Sequence, residues 1–309
     1  MRSSAPEHIC VCVCTYRRPH LLRRLLRALS LQQTEGSFTH SVVVVDNDRK
    51  GSARSTVEAF TRSSALPVCY AIEPQQNIAL ARNRAIAAAA GDYVALIDDD
   101  ELPGERWLLE LHAALRRLAV DGVLAPVLPR YEQTPPSWVL KGRFFDRPAP
   151  RTGELLQWTQ TRSGNALLCR AVFERHADWF DPAFGSGGED RDFFRRKMAQ
   201  RCLFAWTNDA PVHESVSAGR WEERVLLKRA LLRGKMALRA ADNLPLSLLK
   251  SALALPGYAL ALPVAGLAGR HVLMQTLIRA CDHLGKLLAF LRVNPVRESY
   301  VQAQEPCTQ

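Results

Sequence analysis

An apolar run, Tyr93-Val94-Ala95-Leu96-Ile97, stops abruptly at four consecutive acids, Asp98-Asp99-Asp100-Glu101. Adjacent carboxylates repel and are costly to desolvate, so acids crowded at the end of a buried strand must be solvated, paired or bound to a cation. A divalent ion such as Mg2+ or Mn2+ takes hard oxygen ligands, commonly one or two carboxylates with water and a substrate diphosphate in the other positions. Extended backbone would put Asp98 and Asp100 on one face and Asp99 on the other, which offers the matching pair to one ion. A solvated acidic turn would satisfy the same four residues. The rest of the chain has to choose.

Strands and helices alternate on either side of this run. Residues 9–14 are β-rich and apolar, and Thr15-Tyr16-Arg17-Arg18-Pro19 follows. A helical pattern over 20–32 then puts Leu21, Leu22, Leu25, Leu26 and Leu29 on one face and Arg23, Arg24 and Arg27 on the other. Residues 41–45 carry four valines, the pattern of a strand buried on both faces, and end in Asp46-Asn47-Asp48. A helix over 53–63, a strand over 68–72 and Pro74-Gln75-Gln76-Asn77 come next. An alanine-rich helix over 78–90, stopped by Gly91, brings the chain to the acidic run. Beyond it lie a helix over 105–119, a strand over 123–128 and a proline- and arginine-rich stretch over 129–153 that reads as a long surface loop. A turn entering a strand over 161–169, the motif Gly187-Gly188-Glu189-Asp190 entering a helix to 200, and a last strand over 202–206 complete the pattern.

This alternation predicts an α/β fold with a mostly parallel central sheet flanked by helices. In such sheets ligands bind beyond the carboxyl ends of strands, so Thr15 to Arg17, Asp46 to Asp48 and Asp98 to Asp100 should meet in one crevice.

The 309 residues suffice for one large α/β domain and a smaller appendage. A net charge of +10 calls for an anionic partner: a nucleic acid, a membrane surface or a phosphorylated small molecule. Eight cysteines follow no framework spacing. Cys10, Cys12 and Cys14 alternate along a strand at roughly 6.6 Å steps, too far for neighbours to form a disulfide without distortion. They read as small buried hydrophobes in a reducing cytosol. The first strand begins within about ten residues of Met1, which leaves no room for an apolar signal region.

Past residue 218 the character changes. Residues 221–240 suit a helix carrying Arg224, Lys228, Arg229, Arg233, Lys235 and Arg239 among leucines and alanines, and no charged residue lies between Lys250 and Arg270. That stretch is long enough to span a bilayer, yet Pro256, Pro263 and several glycines make it a poor span. The expectation is a catalytic domain over 1–218 and a basic, apolar helical region over 219–309 lying in or against an anionic membrane surface. The preceding Lys and Arg would keep the globular part on the cytoplasmic side.

A metal held by Asp98 and Asp100 would neutralise a nucleotide-sugar diphosphate and stabilise it as a leaving group. Glu189 and Asp190 either complement a helix N-terminus or supply a general base for an acceptor hydroxyl attacking the anomeric carbon. The segments V-C-T-Y-R-R-P-H-L-L, V-V-V-D-N-D, N-I-A-L-A-R-N, A-L-I-D-D-D-E-L-P, S-G-N-A-L-L, G-G-E-D-R-D-F-F and V-H-E occur in this order over residues 9–220. As a set they resemble family 2 glycosyltransferases, inverting enzymes of the GT-A fold, and within these the bacterial exopolysaccharide type similar to succinoglycan glucosyltransferases.

The resemblance implies a nucleotide-diphospho-sugar donor, a UDP-sugar, and a glycan or glycolipid acceptor, lipid-linked, with Mg2+ or Mn2+ as cofactor. It implies that Thr15, Tyr16 and Arg17 border the nucleotide, Asp46 hydrogen-bonds its base, and Asn77 and Arg82 lie near the ribose and diphosphate. Asp98 and Asp100 would hold the metal with His213 close by, while Asp99 turns towards the ribose or a basic partner. Gly164 and Asn165 would line the sugar or acceptor pocket. Asp190 would be the catalytic base, supported by Glu189. The Q-x-x-R-W motif of processive synthases is missing, which favours one sugar per encounter, and Ala79 stands where many relatives have glycine. The implied setting is the inner face of a bacterial cell membrane, in surface polysaccharide synthesis.

Three other classes fit less well. A sugar nucleotidyltransferase carries a glycine-rich basic loop after the first strand, and Thr15-Tyr16-Arg17-Arg18 is not one. A binding module, for nucleic acid or as a non-catalytic relative, draws on the positive charge. The arginines, however, lack interleaved aromatics and the acids would repel a phosphate backbone, so no nucleic-acid partner is expected. No G-x-G-x-x-G follows the first strand, which argues against a dinucleotide-binding dehydrogenase.

Overall fold

β-Branched and small apolar residues fill the middle of a seven-stranded sheet in the computed structural model, which describes residues 6–174, 179–185, 187–239, 243–293 and 296. Strands and helices alternate strictly at first: β1 (Glu7–Thr15), α1 (Pro19–Ser30), β2 (Phe38–Asp46), α2 (Arg54–Thr61), β3 (Val68–Ile72), α3 (Ile78–Ala88) and β4 (Tyr93–Asp98). Next come β5 (Glu101–Pro103), α4 (Trp107–Leu118), β6 (Gly122–Leu124), β7 (Val127–Tyr131) and α5 (Ser137–Gly142). They are followed by β8 (Ala166–Cys169), α6 (Ala171–Glu174), α7 (Glu189–Ala199), β9 (Phe204–Trp206) and β10 (Val212–Val216). The helices α8 (Glu223–Arg239), α9 (Leu244–Ala268) and α10 (Arg270–Phe290) follow.

The main sheet has the order β3-β2-β1-β4-β8-β6-β9. β1 to β4 are parallel, β8 runs antiparallel to both neighbours, and β6 and β9 are parallel, so the sheet is mostly parallel as expected. Alternate side chains of β1 feed two layers. Ile9, Val11 and Val13 pack with the α1 leucines and with Trp107, Leu108 and Leu111 of α4, while Cys10 and Cys12 pack towards Ala81 and Ala85 of α3 and Phe193 and Phe194 of α7. Each buried α1 leucine contributes about 1.5–3 kcal/mol of transfer free energy. The register sets Thr15 beside Asp46 and Cys14 beside Asp98, which aligns the carboxyl ends of β1, β2 and β4. The seven described cysteines are free, and Cys10, Cys12 and Cys202 are buried.

Four expectations change. β4 ends at Asp98, and Asp99 and Asp100 form a turn, so strand alternation does not pair Asp98 with Asp100. The strand expected over 123–128 is two strands broken at Ala125-Pro126. The strand over 202–206 is not the last, since β10 follows and pairs antiparallel with β5. The stretch over 129–153 is not a long surface loop, because it contains α5, whose Trp138 and Val139 are buried.

The described chain divides into two compact units, one of residues 6–128 and 147–214, the other of 129–146 and 215–296. The division thus falls near the expected boundary at 218 but takes in the α5 segment as well. The expected helix end at residue 240 and the chain beyond 296 lie outside the described residues. In the second unit Trp138, Val139 and Phe145 pack with Val216, Trp221, Leu226 and Met274. Helices α8 and α10 cross at Gly234 and Gly285, where a methyl group on either would overlap a backbone carbonyl oxygen of the other helix, Asp282 or Leu231. Backbone atoms cannot swing aside as a side chain can. Gly285→Val is expected to cost about 3 kcal/mol, the upper end for overpacked sites, in urea denaturation. A loss below about 1 kcal/mol would show that the helices part easily.

Candidate active site

The acids at the end of β4 are held by the turn after β1. The Thr15 hydroxyl donates to Asp99 Oδ2 at 2.7 Å, and Arg18 Nη1 donates to Asp99 Oδ1 at 3.1 Å and to Asp100 Oδ2 at 3.2 Å. Asp99 thus faces a basic partner. Asp98 points elsewhere: its side chain is 45% exposed, and its Oδ1 accepts from Arg82 Nη2 at 3.0 Å. Glu101 folds back so that its Oε2 accepts the Asp98 amide at 3.0 Å. Burial, then the charges of Asp98 and Asp100, push the Glu101 carboxyl well above its ordinary range. Opposite it in the β5–β10 pairing stands Glu214, which accepts from Arg147 at 2.7 Å.

Gly164 makes room for this cluster. A methyl group at that position would lie 2.5 Å from Glu101 Oε1 and 3.3 Å from Asp98 Oδ2.

Across the crevice the acid pair sits at the start of α7. Gly188, at φ 90°, supplies the left-handed turn into the helix. Phe193 stacks on Phe180 at 4.6 Å and Phe194 meets Phe204 edge-on at 4.9 Å, which anchors α7 to the core. Glu189 is buried and forms an ion pair with Arg82. Arg82 therefore bridges Asp98 of β4 and Glu189 of α7. Asp190 is half-buried, and its Oδ1 accepts the Arg191 amide at 2.7 Å.

The structure brings together Thr15, Arg82, Asp98, Asp99, Asp100, Gly164 and Glu189, and it turns others away. Asp46 is fully buried, and its carboxylate accepts from the amides of Asp48 and Ala53 at 3.0 and 2.7 Å and from the Tyr70 hydroxyl at 3.0 Å. It fastens the β2–α2 loop rather than presenting an oxygen to a base. Asp48 instead accepts from Arg17 Nε at 3.1 Å, and the Arg17 guanidinium lies 5.0 Å from the centre of the Tyr16 ring.

Asn77 caps α3 by accepting from the amides of Ala79 and Leu80, and it donates to the Pro182 carbonyl. Asn165 does not reach the surface. It is fully buried, accepts from Trp107 Nε1 at 2.7 Å and donates to the carbonyls of Pro126 and Ala210 at 2.8 Å each. His213 is exposed on β10, on the opposite face from Glu214, so it does not join the acids. Reading the sequence missed Arg18, Glu101 and Glu214. The signals were the basic residue after Thr15-Tyr16-Arg17, the fourth acid of the run, and the acid after His213.

Among the described residues no three His, Cys, Asp or Glu side chains converge to hold an ion. Mg2+ and Mn2+ need no such cage where one or two carboxylates and a diphosphate share the coordination. The exposed Asp98 carboxylate, with the buried acids Asp99 and Glu101 gathered at the same strand end, fits such an ion. Asp100 shares Arg18 with Asp99, which leaves Asp98 the more open ligand.

A mostly parallel sheet with an acidic turn at the end of β4, faced by a helix-borne acid pair, defines the GT-A class of nucleotide-diphospho-sugar transferases. Solved structures share this fold. The mannosyltransferase PcManGT from Pyrobaculum calidifontis, described in complex with GDP-Man and Mn2+, is 19% identical at TM-score 0.59, with 92% of this chain and 88% of that one covered. Residues 1–349 of S. aureus TarS, described in complex with UDP-GlcNAc, are 15% identical at TM-score 0.53, with 96% and 95% covered. In sequence, residues 10–179 match the family described as Glycosyl transferase family 2. The chain is 32% identical over 306 residues to succinoglycan biosynthesis protein ExoM of Rhizobium meliloti (strain 1021), covering 94% of this chain and 95% of that protein. Chondroitin synthase of Escherichia coli is 26% identical over 253 residues, covering 70% of this chain and 36% of that one. The chain belongs to glycosyltransferase family 2.

Proposed function

We propose that the chain transfers one sugar per encounter from a UDP-sugar to a hydroxyl of a lipid-linked glycan, with inversion, in bacterial surface polysaccharide synthesis. The Arg82 bridge carries this reading: it holds the acidic end of β4 and the acid pair of α7 at one crevice. The similarity to a succinoglycan biosynthesis protein and the UDP-GlcNAc complex of a fold neighbour support it.

In this reading Asp98, with Asp100, would hold Mg2+ or Mn2+, which supplies charge neutralisation for the departing diphosphate. Tyr16, Arg17 and Asp48 border the nucleotide, and Asp190 takes the proton of the acceptor hydroxyl as it attacks the anomeric carbon. Glu189 holds the start of α7 through Arg82. Calorimetry against a panel of nucleotide sugars is expected to show binding of a UDP-sugar that needs Mn2+ and is lost in Asp98→Asn. Binding to no nucleotide sugar would refute the proposal, and pyrophosphate release from a nucleoside triphosphate and a sugar phosphate would replace it with a nucleotidyltransferase.

Membrane association belongs to the same proposal. Among the described residues, α9 is the one helix that passes as a membrane span by length and composition. Its Leu253, Leu260 and Leu267 are 70%, 80% and 91% exposed, apolar area that an anionic lipid interface would cover. The full chain is expected to float with anionic liposomes, and a Leu253→Glu/Leu260→Glu/Leu267→Glu variant to stay in the aqueous fraction. If both remain aqueous, the membrane reading fails.

A further inference from the structure

The edge of the main sheet away from β1 and β2 carries a cavity outside the acid cluster. It has a volume of about 40 Å3, lies along the ends of β6, β8 and β9, and is lined by Pro126, Arg147, Gln160, Arg162, Gly164 and Trp206 among others. That is room for about three waters or one small anionic group such as a carboxylate, with the rest of a ligand outside it. Gly164, which lines the cavity, also abuts Glu101 and Asp98 of the acid cluster. The nucleotide-bordering residues Tyr16, Arg17 and Asp48 lie at the ends of β1 and β2, on the other side of β4. The cavity is therefore placed for the sugar end of a substrate and not for the nucleotide.

Arg162 has no hydrogen-bond or ion-pair partner among the described residues, whereas Arg147 is satisfied by Glu214. A half-buried guanidinium without a partner is expensive and needs a reason to persist. Burial, then the neighbouring charges of Arg147 and Arg191, push Arg162 down to about 10, which still leaves it cationic at neutral pH. Asp190 and Glu214 act on it in the opposite sense, which places it within electrostatic reach of the proposed base. A planar fork of donors at the wall of a small cavity suits a carboxylate or phosphate oxygen pair.

We infer that Arg162, with Arg147 beside it in the cavity wall, anchors a subsite for a carboxylate or phosphate carried by the sugar end of a substrate. The inference rests on the proposed transfer reaction and narrows its substrate class to acidic sugars, on the donor or the acceptor.

The test uses the full chain with glucuronate and glucose as probes, titrated calorimetrically in the presence of saturating UDP and Mn2+. Glucuronate is expected to bind about tenfold or more tightly than glucose. Arg162→Gln should abolish that preference while UDP affinity stays unchanged. A parallel titration with UDP-glucuronate and UDP-glucose separates the sources: a preference there that Arg162→Gln removes puts the anion on the donor, and none puts it on the acceptor. Equal or undetectable binding of the two monosaccharides with UDP still bound overturns the subsite, as does a preference that survives Arg162→Gln. A loss of UDP affinity in Arg162→Gln also overturns it by assigning the guanidinium to the nucleotide. Failure of UDP to bind the unmodified chain refutes instead the transfer reaction on which the inference rests.

Discussion

Asp190→Asn is expected to lower kcat for sugar transfer by about 10²–10⁴-fold, the range a positioned general base supplies. Affinity for the nucleotide sugar should stay within about twofold, because the amide keeps the shape of the carboxylate and loses only its capacity to take a proton. The geometry behind this is specific to Asp190. Glu189, one residue earlier, is buried against Arg82 and has its charge already matched. Asp190 is half-buried, and among the described residues its hydrogen bond is from the Arg191 amide to Oδ1, which in the proposed reaction leaves Oδ2 for an acceptor hydroxyl. Steady-state transfer with isothermal binding of the donor separates the two outcomes. Retained turnover in Asp190→Asn would move the base to another group.

The first hundred residues were legible because each strand and helix there is long enough to show its own period. The α1 leucines face the sheet and its arginines face solvent, as the 3.6-residue spacing requires. The valine run of β2 is buried on both faces. Convergence of strand ends was legible for the same reason, since parallel strands of matched length end together.

What stayed hidden was which polar residue at those ends the fold keeps for itself. Asp46 receives donors from residues 7 and 24 positions further on, and Asp99 and Asp100 are clamped by an arginine 81 and 82 positions earlier. Pattern within a window of a few residues carries no trace of such partners. Asn165 makes the point most sharply: it is a signature polar residue whose every partner is distant, and it serves the core. The stretch over 129–146 was misread because a six-residue helix is too short for periodicity, and its Trp138 and Phe145 are buried against residues from 216 onward.

Replacing Arg82 tests whether the crevice depends on a single bridge. Its side chain is 10% exposed, and its guanidinium contacts Asp98 on one side and Glu189 on the other and lies 5.7 Å from the centre of the Phe180 ring. Arg82→Met keeps most of the packing volume but leaves Glu189 buried without its counter-charge. Removing one partner of a buried pair costs about 3–5 kcal/mol, so a loss of that size is expected in urea denaturation. Asp98 is nearly half exposed and adds little to that cost, since water can replace the lost donor. Arg82→Met/Glu189→Met should recover most of the stability, because a buried ion pair replaced by apolar groups of similar volume is often neutral. Activity should not recover with it. Without Arg82 the Asp98 carboxylate is free to turn, and misplacement by about 1 Å costs about 100-fold in rate. A double variant that is stable yet inactive would show that Arg82 positions Asp98 as well as supporting the fold. If the double variant is as unstable as the single one, the bridge is not what joins β4 to α7, and the aromatic packing of Phe180 and Phe193 takes that role.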